Sequence, residues 1–271
     1  MADPGRLSRA LDFVESRLLD DIGAGDMAGA AFLSPFHFAR VFSAAFLAGP
    51  WEWIVRRRLA EAAKALAAGG VDATGAAYEF GFSGPDVFAR AMKRAYGVLP
   101  SDLRRGLHPK RPLLERPSAG VVSFCADPAR VPKVSVVEPG ERRLRGETVL
   151  AGTPPDEDRL ARMTAAARTA AERTGGEDIV LVSARGSFGQ GIVVACSERG
   201  LGNGSTELLL PGGKWLACSF AVQADFQPSW EWFHAVALSV APVSVDDDLR
   251  VAEIRTGPER ACRILARIID R

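Results

Sequence analysis

The sequence predicts an all-α first half, with two helix-turn-helix units on a connecting helix, followed by an α+β second half built on a mostly antiparallel sheet. Three observations predict it. The 271 residues are 47% hydrophobic and 25% charged, the composition of a soluble globular chain, and that length suits two domains. Apolar spacing changes from helical to strand-like across residues 107–118. The first half also matches itself at an offset of 50: Phe38-Ala39-Arg40 with Phe88-Ala89-Arg90, Phe42 with Met92, Phe46 with Tyr96, and Pro50 with Pro100.

Between residues 4 and 106, breakers at Gly23/Gly25, Ser34-Pro35, Gly49-Pro50, Gly69-Gly70, Gly81, Ser83-Gly84-Pro85 and Gly97 cut the helical pattern into about seven pieces. His108-Pro109-Lys110-Arg111-Pro112 and Arg116-Pro117-Ser118 stop any helix, so residues 107–118 read as a linker and 119–271 as the second domain. Its expected strands are Val121–Cys125, Val134–Val137, Thr148–Ala151, Ile179–Ala184, Gly191–Cys196, Glu207–Leu210, Trp215–Val222 and Leu249–Ile254. Expected helices run Asp156–Arg173, Trp230–Leu238 and Glu259–Ile269.

Composition and motifs exclude several classes. No apolar run approaches the roughly 18 residues of a membrane span. Acidic Asp12 and Glu15 interrupt any secretion signal, so a cytoplasmic protein without membrane contact is expected. Cys125, Cys196, Cys218 and Cys262 form no Cys-x-x-Cys pair, and His37, His108 and His234 are scattered; the thiols read as reduced core residues, with redox or metal chemistry the alternative. No Gly-x-Ser-x-Gly elbow is present, and the glycine-rich stretches 186–191 and 200–204 lack a nucleotide loop's Lys-Ser/Thr ending and read as hairpin connections. No catalytic residue, metal or cofactor is therefore assigned. Net charge is only +1, but residues 40–105 hold ten basic against six acidic residues.

Each repeat starts a helix at Ser-Pro or Ser-Gly-Pro and places an Arg five residues after that Pro, Arg40 and Arg90. Between them Trp51–Ala68 has no breaker and makes a rod of about 27 Å at about 1.5 Å per residue. Such a rod could hold two short helices about one turn of B-DNA, roughly 34 Å, apart. A helical repeat without nucleic acid is the alternative. Leu33-Ser34-Pro35-Phe36-His37-Phe38-Ala39-Arg40-Val41-Phe42, Gly81-Phe82-Ser83, Phe88-Ala89-Arg90-Ala91 and Tyr96-Gly97-Val98-Leu99-Pro100-Ser101-Asp102-Leu103-Arg104 resemble the DNA-binding domain of the AraC/XylS family of transcriptional regulators over residues 4–106. The resemblance implies that the helices at Pro35 and Pro85 enter successive major grooves of double-stranded DNA. Base-edge candidates are Phe36, Ala39 and Arg40, then Pro85, Asp86, Val87 and Arg90. His37, Arg57 and Arg94 are candidates for the DNA surface, while Phe38, Phe42, Phe88 and Met92 belong to the core. Ala39 and Val87 shift readout toward apolar contact and shape, and Gly75 inside its helix loosens the second unit.

In the second half, Trp215, Phe220, Phe226, Trp230, Trp232 and Phe233 cluster in sequence, as a core or as a pocket. Pro211-Gly212-Gly213-Lys214-Trp215 and the late strand Val251-Ala252-Glu253-Ile254 resemble the gyrase-inhibitor-like effector-binding domain, and with the first half the order of the Rob type of regulator. The resemblance implies paired strand-helix-strand-strand units around an aromatic pocket for a small apolar or cationic effector. Glu253 is its first carboxylate and Glu231 its second, with Trp215, Phe220, Trp230 and Phe233 as walls. RNA polymerase is the implied protein partner. A ligand-independent transcription factor whose second domain binds a protein is the alternative, and a DNA-tethered enzyme a third, weakened because both tyrosines, Tyr78 and Tyr96, lie in the first half.

Overall fold

The structure, a computed structural model, describes residues 3–153, 169, 179–185, 191–197, 206–220, 226–254 and 262–269. Seven helices occupy residues 4–104: α1 (Pro4–Ser16), α2 (Ala24–Ala30), α3 (Pro35–Phe46), α4 (Pro50–Ala67), α5 (Ala73–Glu79), α6 (Pro85–Tyr96) and α7 (Pro100–Arg104). Five begin with proline, whose fixed φ suits the first helical position and whose missing N–H would be unbonded there anyway. Ser34 caps α3 by accepting from the His37 N–H, and Asp72 caps α5 through the Gly75 N–H at 2.7 Å.

The two helix-turn-helix units share their turn chemistry. Phe32 N–H donates to Gly29 O and Leu33 N–H to Ala28 O; 49 residues later Gly81 N–H donates to Tyr78 O and Phe82 N–H to Ala77 O. The left-handed turn position is Phe32 (φ 53°) in the first unit and Gly81 (φ 78°) in the second. Gly84 then adds one residue, so α3 and α6 correspond at an offset of 50. Gly75 lies inside α5 as expected, in its first turn, where a Cβ would meet Val71 Cγ2 at 3.0 Å and the capping Asp72 Oδ1 at 3.3 Å.

Two compact units divide the chain: residues 1–131 with 231–244, and 132–230 with 245–271. The first has a ring core of Phe38, Phe42, Phe46 and Trp53, with centroids 4.7–5.5 Å apart. A second core gathers Leu59, Leu66, Phe88, Met92 and Tyr96 under α4, α5 and α6. Residues 107–118 are packed rather than a free linker: Lys110 N–H donates to Tyr96 O at 2.8 Å, and Leu114 N–H to the Tyr96 hydroxyl at 3.2 Å. The expected strand Val121–Cys125 is instead a helix, α8 (Ala119–Cys125), capped by Ser118; its buried Val121, Val122, Phe124 and Cys125 have helical spacing. Helix α9 (Phe226–Trp232) continues through a π-helical stretch, Phe233–Ala237, into Leu238–Val240. In the first unit the Trp232 indole is fully buried and donates to Ala45 O at 2.9 Å.

The second unit is an eight-stranded, wholly antiparallel sheet of β1 (Lys133–Val137), β2 (Arg142–Thr153), β3 (Ile179–Arg185), β4 (Gly191–Ser197), β5 (Thr206–Leu210), β6 (Trp215–Phe220), β7 (Val245–Ile254) and β8 (Cys262–Ile268). The order β1-β6-β8-β7-β3-β4-β2-β5 is symmetric about the β7/β3 pair when β2, β3 and β4 are exchanged for β6, β7 and β8. The expected terminal helix Glu259–Ile269 is corrected to β8. That strand pairs with β6 and β7, and its buried run of Ile264, Leu265 and Ala266 lacks the alternation that marks a half-exposed strand. The expected helix Asp156–Arg173 falls outside the described residues apart from 169. The expected hairpin connections 186–191 and 200–204 fall outside the described residues apart from Gly191; of the strands around them, β3 pairs with β4, and β2 lies between β4 and β5.

Candidate nucleic-acid interface and effector site

Amphipathic spacing divides α3 and α6 into a buried and an open face. On α3, Phe38, Phe42, Ala45 and Phe46 turn inward, leaving Phe36, His37 and Arg40 exposed and Ala39 half-buried. Phe36 is 82% exposed, a large apolar surface that gains by burial against a partner. On α6, Phe88, Met92, Ala95 and Tyr96 turn inward, while Asp86, Val87, Arg90, Lys93 and Arg94 are exposed and Pro85 is half-buried. Among the described residues the exposed Arg40, Arg90 and Arg94 form no ion pair. Lys93, which carries no local motif of its own, donates to Gly97 O at the end of α6.

Arg57 is a correction. It is only 3% exposed, and its guanidinium donates to both Glu15 oxygens at 2.7 Å, to Leu114 O at 2.6 Å and to Glu61 Oε1 at 2.9 Å. Burial alone would favour the neutral form, but hydrogen bonds and charge from Glu15 and Glu61 more than reverse it and raise the pKa. Arg58 is buried too, donating to Leu18 O at 2.8 Å and Asp20 O at 2.5 Å. Two of the three consecutive arginines therefore hold α4 to the α1–α2 region and cannot meet phosphate. Helical fanning signals that three neighbours cannot share a face; the sequence does not say which one is outside.

Residues 27–106 match the family model of a helix-turn-helix domain. Over 103 residues the chain is 26% identical to the regulatory protein PocR of Salmonella typhimurium, covering 38% of this chain and 34% of PocR. The chain thus spans about a third of the length of that curated relative. A transcriptional regulator from Chromobacterium violaceum, an AraC-type DNA-binding domain-containing protein, superposes with a TM-score of 0.36 at 19% identity, over 37% of this chain and 90% of that one. A bacterial transcription regulation protein from Staphylococcus aureus superposes with a TM-score of 0.38 at 12% identity, over 51% of this chain and 99% of that one.

Outside the helix-turn-helix domain, the sheet unit brings Trp215 and Glu253 together but not the other expected ligand residues. Pairing Ser219 with Arg263 and Glu253 with Arg263 puts Trp215, Ala217, Val251, Glu253, Arg263 and Leu265 on one face, with Phe220 on the other. Phe220 is therefore corrected away from the Trp215 side. Glu253 is 8% exposed and lies between two guanidinium groups: Arg142 Nη1 is 2.5 Å from Oε1, and Arg263 donates to Oε2 at 2.5 and 2.8 Å. A carboxylate so engaged is not a free counter-charge for a cation, which corrects the electrostatic role expected of it. The cavity beside it measures about 20 Å³, room for a water, and the buried Trp215 Nε1 has no hydrogen-bond partner among the described residues. Glu231 and Phe233 belong to the first unit, where Phe233 is fully buried, and Trp230 is the last residue of the second before the chain crosses. Of the cysteines, Cys125, Cys218 and Cys262 are buried, and burial pushes the Cys125 and Cys218 thiols up.

Proposed function

We propose that the protein is an AraC-type transcriptional regulator that reads double-stranded DNA with both helix-turn-helix units of one chain. The observation that carries this reading is the repeat itself: two units with the same turn hydrogen bonds, joined by α4, each leaving the outer face of its second helix open. Arg40 and Arg90 are suited to guanine, Phe36, Ala39 and Val87 to thymine methyl groups, and Asp86 to a cytosine amino group. His37, Pro85 and Arg94 complete the surface toward the backbone. RNA polymerase is the partner such a regulator recruits or blocks, and the cytoplasm is where it works.

The sheet unit, residues 132–230 with 245–271, fits a gyrase-inhibitor-like effector-binding domain in the Rob type of order; the expected domain 119–271 is reduced by residues 119–131 and 231–244, which belong to the first unit. Support comes from the symmetric sheet order and from Trp215 beside Glu253. With Arg142 and Arg263 on Glu253, an apolar effector fits better than a cationic one, which would have to displace them. Selection from a random DNA pool at about 0.15 M salt, where non-specific phosphate binding is partly suppressed, tests the DNA reading. A bipartite motif with halves about 10 base pairs apart supports it; no enrichment refutes it.

A further inference from the structure

We infer that the first unit carries its own site for a small aromatic anion, in a cleft of about 520 Å³ between α4 and α6. Its size is that of ordinary small-molecule sites, roughly 300–1,000 Å³. Val55, Leu59, Ala91 and Ala95 give it an apolar lining, and the Trp51 ring, 55% exposed, stands at its edge. Three arginines face it against one carboxylate. Glu52 is used by Arg56, which donates to it at 2.9 Å and to Ser239 O at 2.7 Å. Arg111 donates from Nη1 to Arg94 O and Ala95 O at 2.8 and 3.0 Å, fixing its guanidinium against the last turn of α6.

Among the described residues the Nε of Arg111 is left buried without a hydrogen-bond partner, and burial followed by the charge of Arg56 lowers this group's pKa. Neither Arg111 nor Arg94 has a carboxylate within ion-pairing distance among the described residues. An orphaned buried donor and two uncompensated cations beside an exposed indole are what a flat acid satisfies, its ring on Trp51 and its carboxylate on Arg94 and Arg111. Because Arg94 also lies on the proposed DNA surface of α6, an anion held there competes with phosphate. This regulatory consequence rests on the DNA reading; the binding site does not.

Calorimetry of the full chain with 2-naphthoate, and with neutral 2-naphthamide of the same shape, tests the site without DNA. Saturable 2-naphthoate binding is expected, weakened by about tenfold or more for the amide and for Arg94→Gln and Trp51→Ala, each with an unchanged thermal midpoint. Equal binding of acid and amide, or unchanged affinity in both variants, overturns the site. No heat with the wild-type chain also overturns it; if Arg94→Gln then lowers the salt dependence of DNA binding, the cleft holds backbone phosphate instead. If 2-naphthoate binds as expected but no DNA is selected, the DNA reading fails and the site stands.

Discussion

Replacing Arg57 with Met separates a structural arginine from a DNA-binding one. The aliphatic stem is kept, but the guanidinium that joins Glu15 on α1, Glu61 on α4 and the Leu114 carbonyl is lost. Breaking a buried pair by removing one partner costs about 3–5 kcal/mol when the orphaned charge stays dry. Here the Glu15 and Glu61 side chains are 26% and 31% exposed, and Lys64 still reaches Glu61 at 2.9 Å, so both carboxylates can rehydrate. That brings the expected loss to about 2–3 kcal/mol. In a unit of roughly 150 residues each kcal/mol lowers the midpoint by about 2–4 °C, so thermal unfolding followed by circular dichroism should fall by about 4–12 °C. The salt dependence of DNA affinity below the transition should not change. A salt slope reduced by about one, with an unmoved midpoint, would refute the burial argument and put Arg57 on phosphate.

Arg40→Ala and Arg90→Ala should each weaken specific DNA binding by about 1–3 kcal/mol, measured by fluorescence anisotropy on the selected site, with no change in midpoint. No loss in either removes the assignment of α3 and α6. Leu47 ends α3 at φ 56° where Gly97 ends α6 at φ 74°. Leu47→Gly relieves left-handed strain of about 1–2 kcal/mol against a glycine entropy cost of about 0.5–1, so a midpoint raised by a degree or two is expected. Gly97→Ala should lower it, because the new Cβ would also sit 3.0 Å from Lys110 Cβ. Burial opposes ionisation of Glu61, but Lys64 and Arg57 hold its pKa below the ordinary 4.5. As pH falls the unfolded chain takes up this proton first, so the stability is complete above about 4.5 and is lost on descending through the folded value. Urea midpoints between about pH 6 and about pH 3 should fall less steeply in Glu61→Gln than in the parent; equal slopes would show that the pair contributes nothing.

The helical half was legible because its signals are local. Proline at Pro35, Pro50, Pro85 and Pro100 marks four helix starts, and the apolar stripe of Phe38, Phe42 and Phe46 states which face is buried. The sheet was legible in its half-exposed strands and illegible at β8, where burial on both faces erases the alternation that separates strand from helix. Candidate sites divide the same way. Exposure of Phe36, Arg40 and Arg90 follows from helix period alone. The fates of Arg57 and Glu253 depend on Glu15, 42 residues away, and on Arg142, 111 residues away, and no local pattern names such partners. Phe220 was assigned to the wrong side because aromatic residues close in sequence alternate faces along a strand.

The helix-turn-helix match ends at residue 106, but the packing that holds those helices does not. The Tyr96 hydroxyl donates to Arg56 O at 2.9 Å and accepts the Leu114 N–H, tying α6 to α4 and both to the stretch after α7. Its deep burial raises the phenol pKa to about 12, so the hydroxyl remains a donor through the physiological range. Arg116 then grips Asp12 of α1 at 2.6 Å, with Arg57 on Glu15 one turn further along that helix. From the far end of the chain comes Trp232, fully buried, with its indole N–H on the Ala45 carbonyl in the last turn of α3. That carbonyl has no helical partner of its own, so the indole satisfies an orphan acceptor while its ring supplies apolar burial of about 2–3 kcal/mol. The recurring helix-turn-helix sequence therefore supplies the surfaces offered to a partner, while residues outside it, from Glu15 to Trp232, set the positions of α3, α4 and α6 that make those surfaces usable.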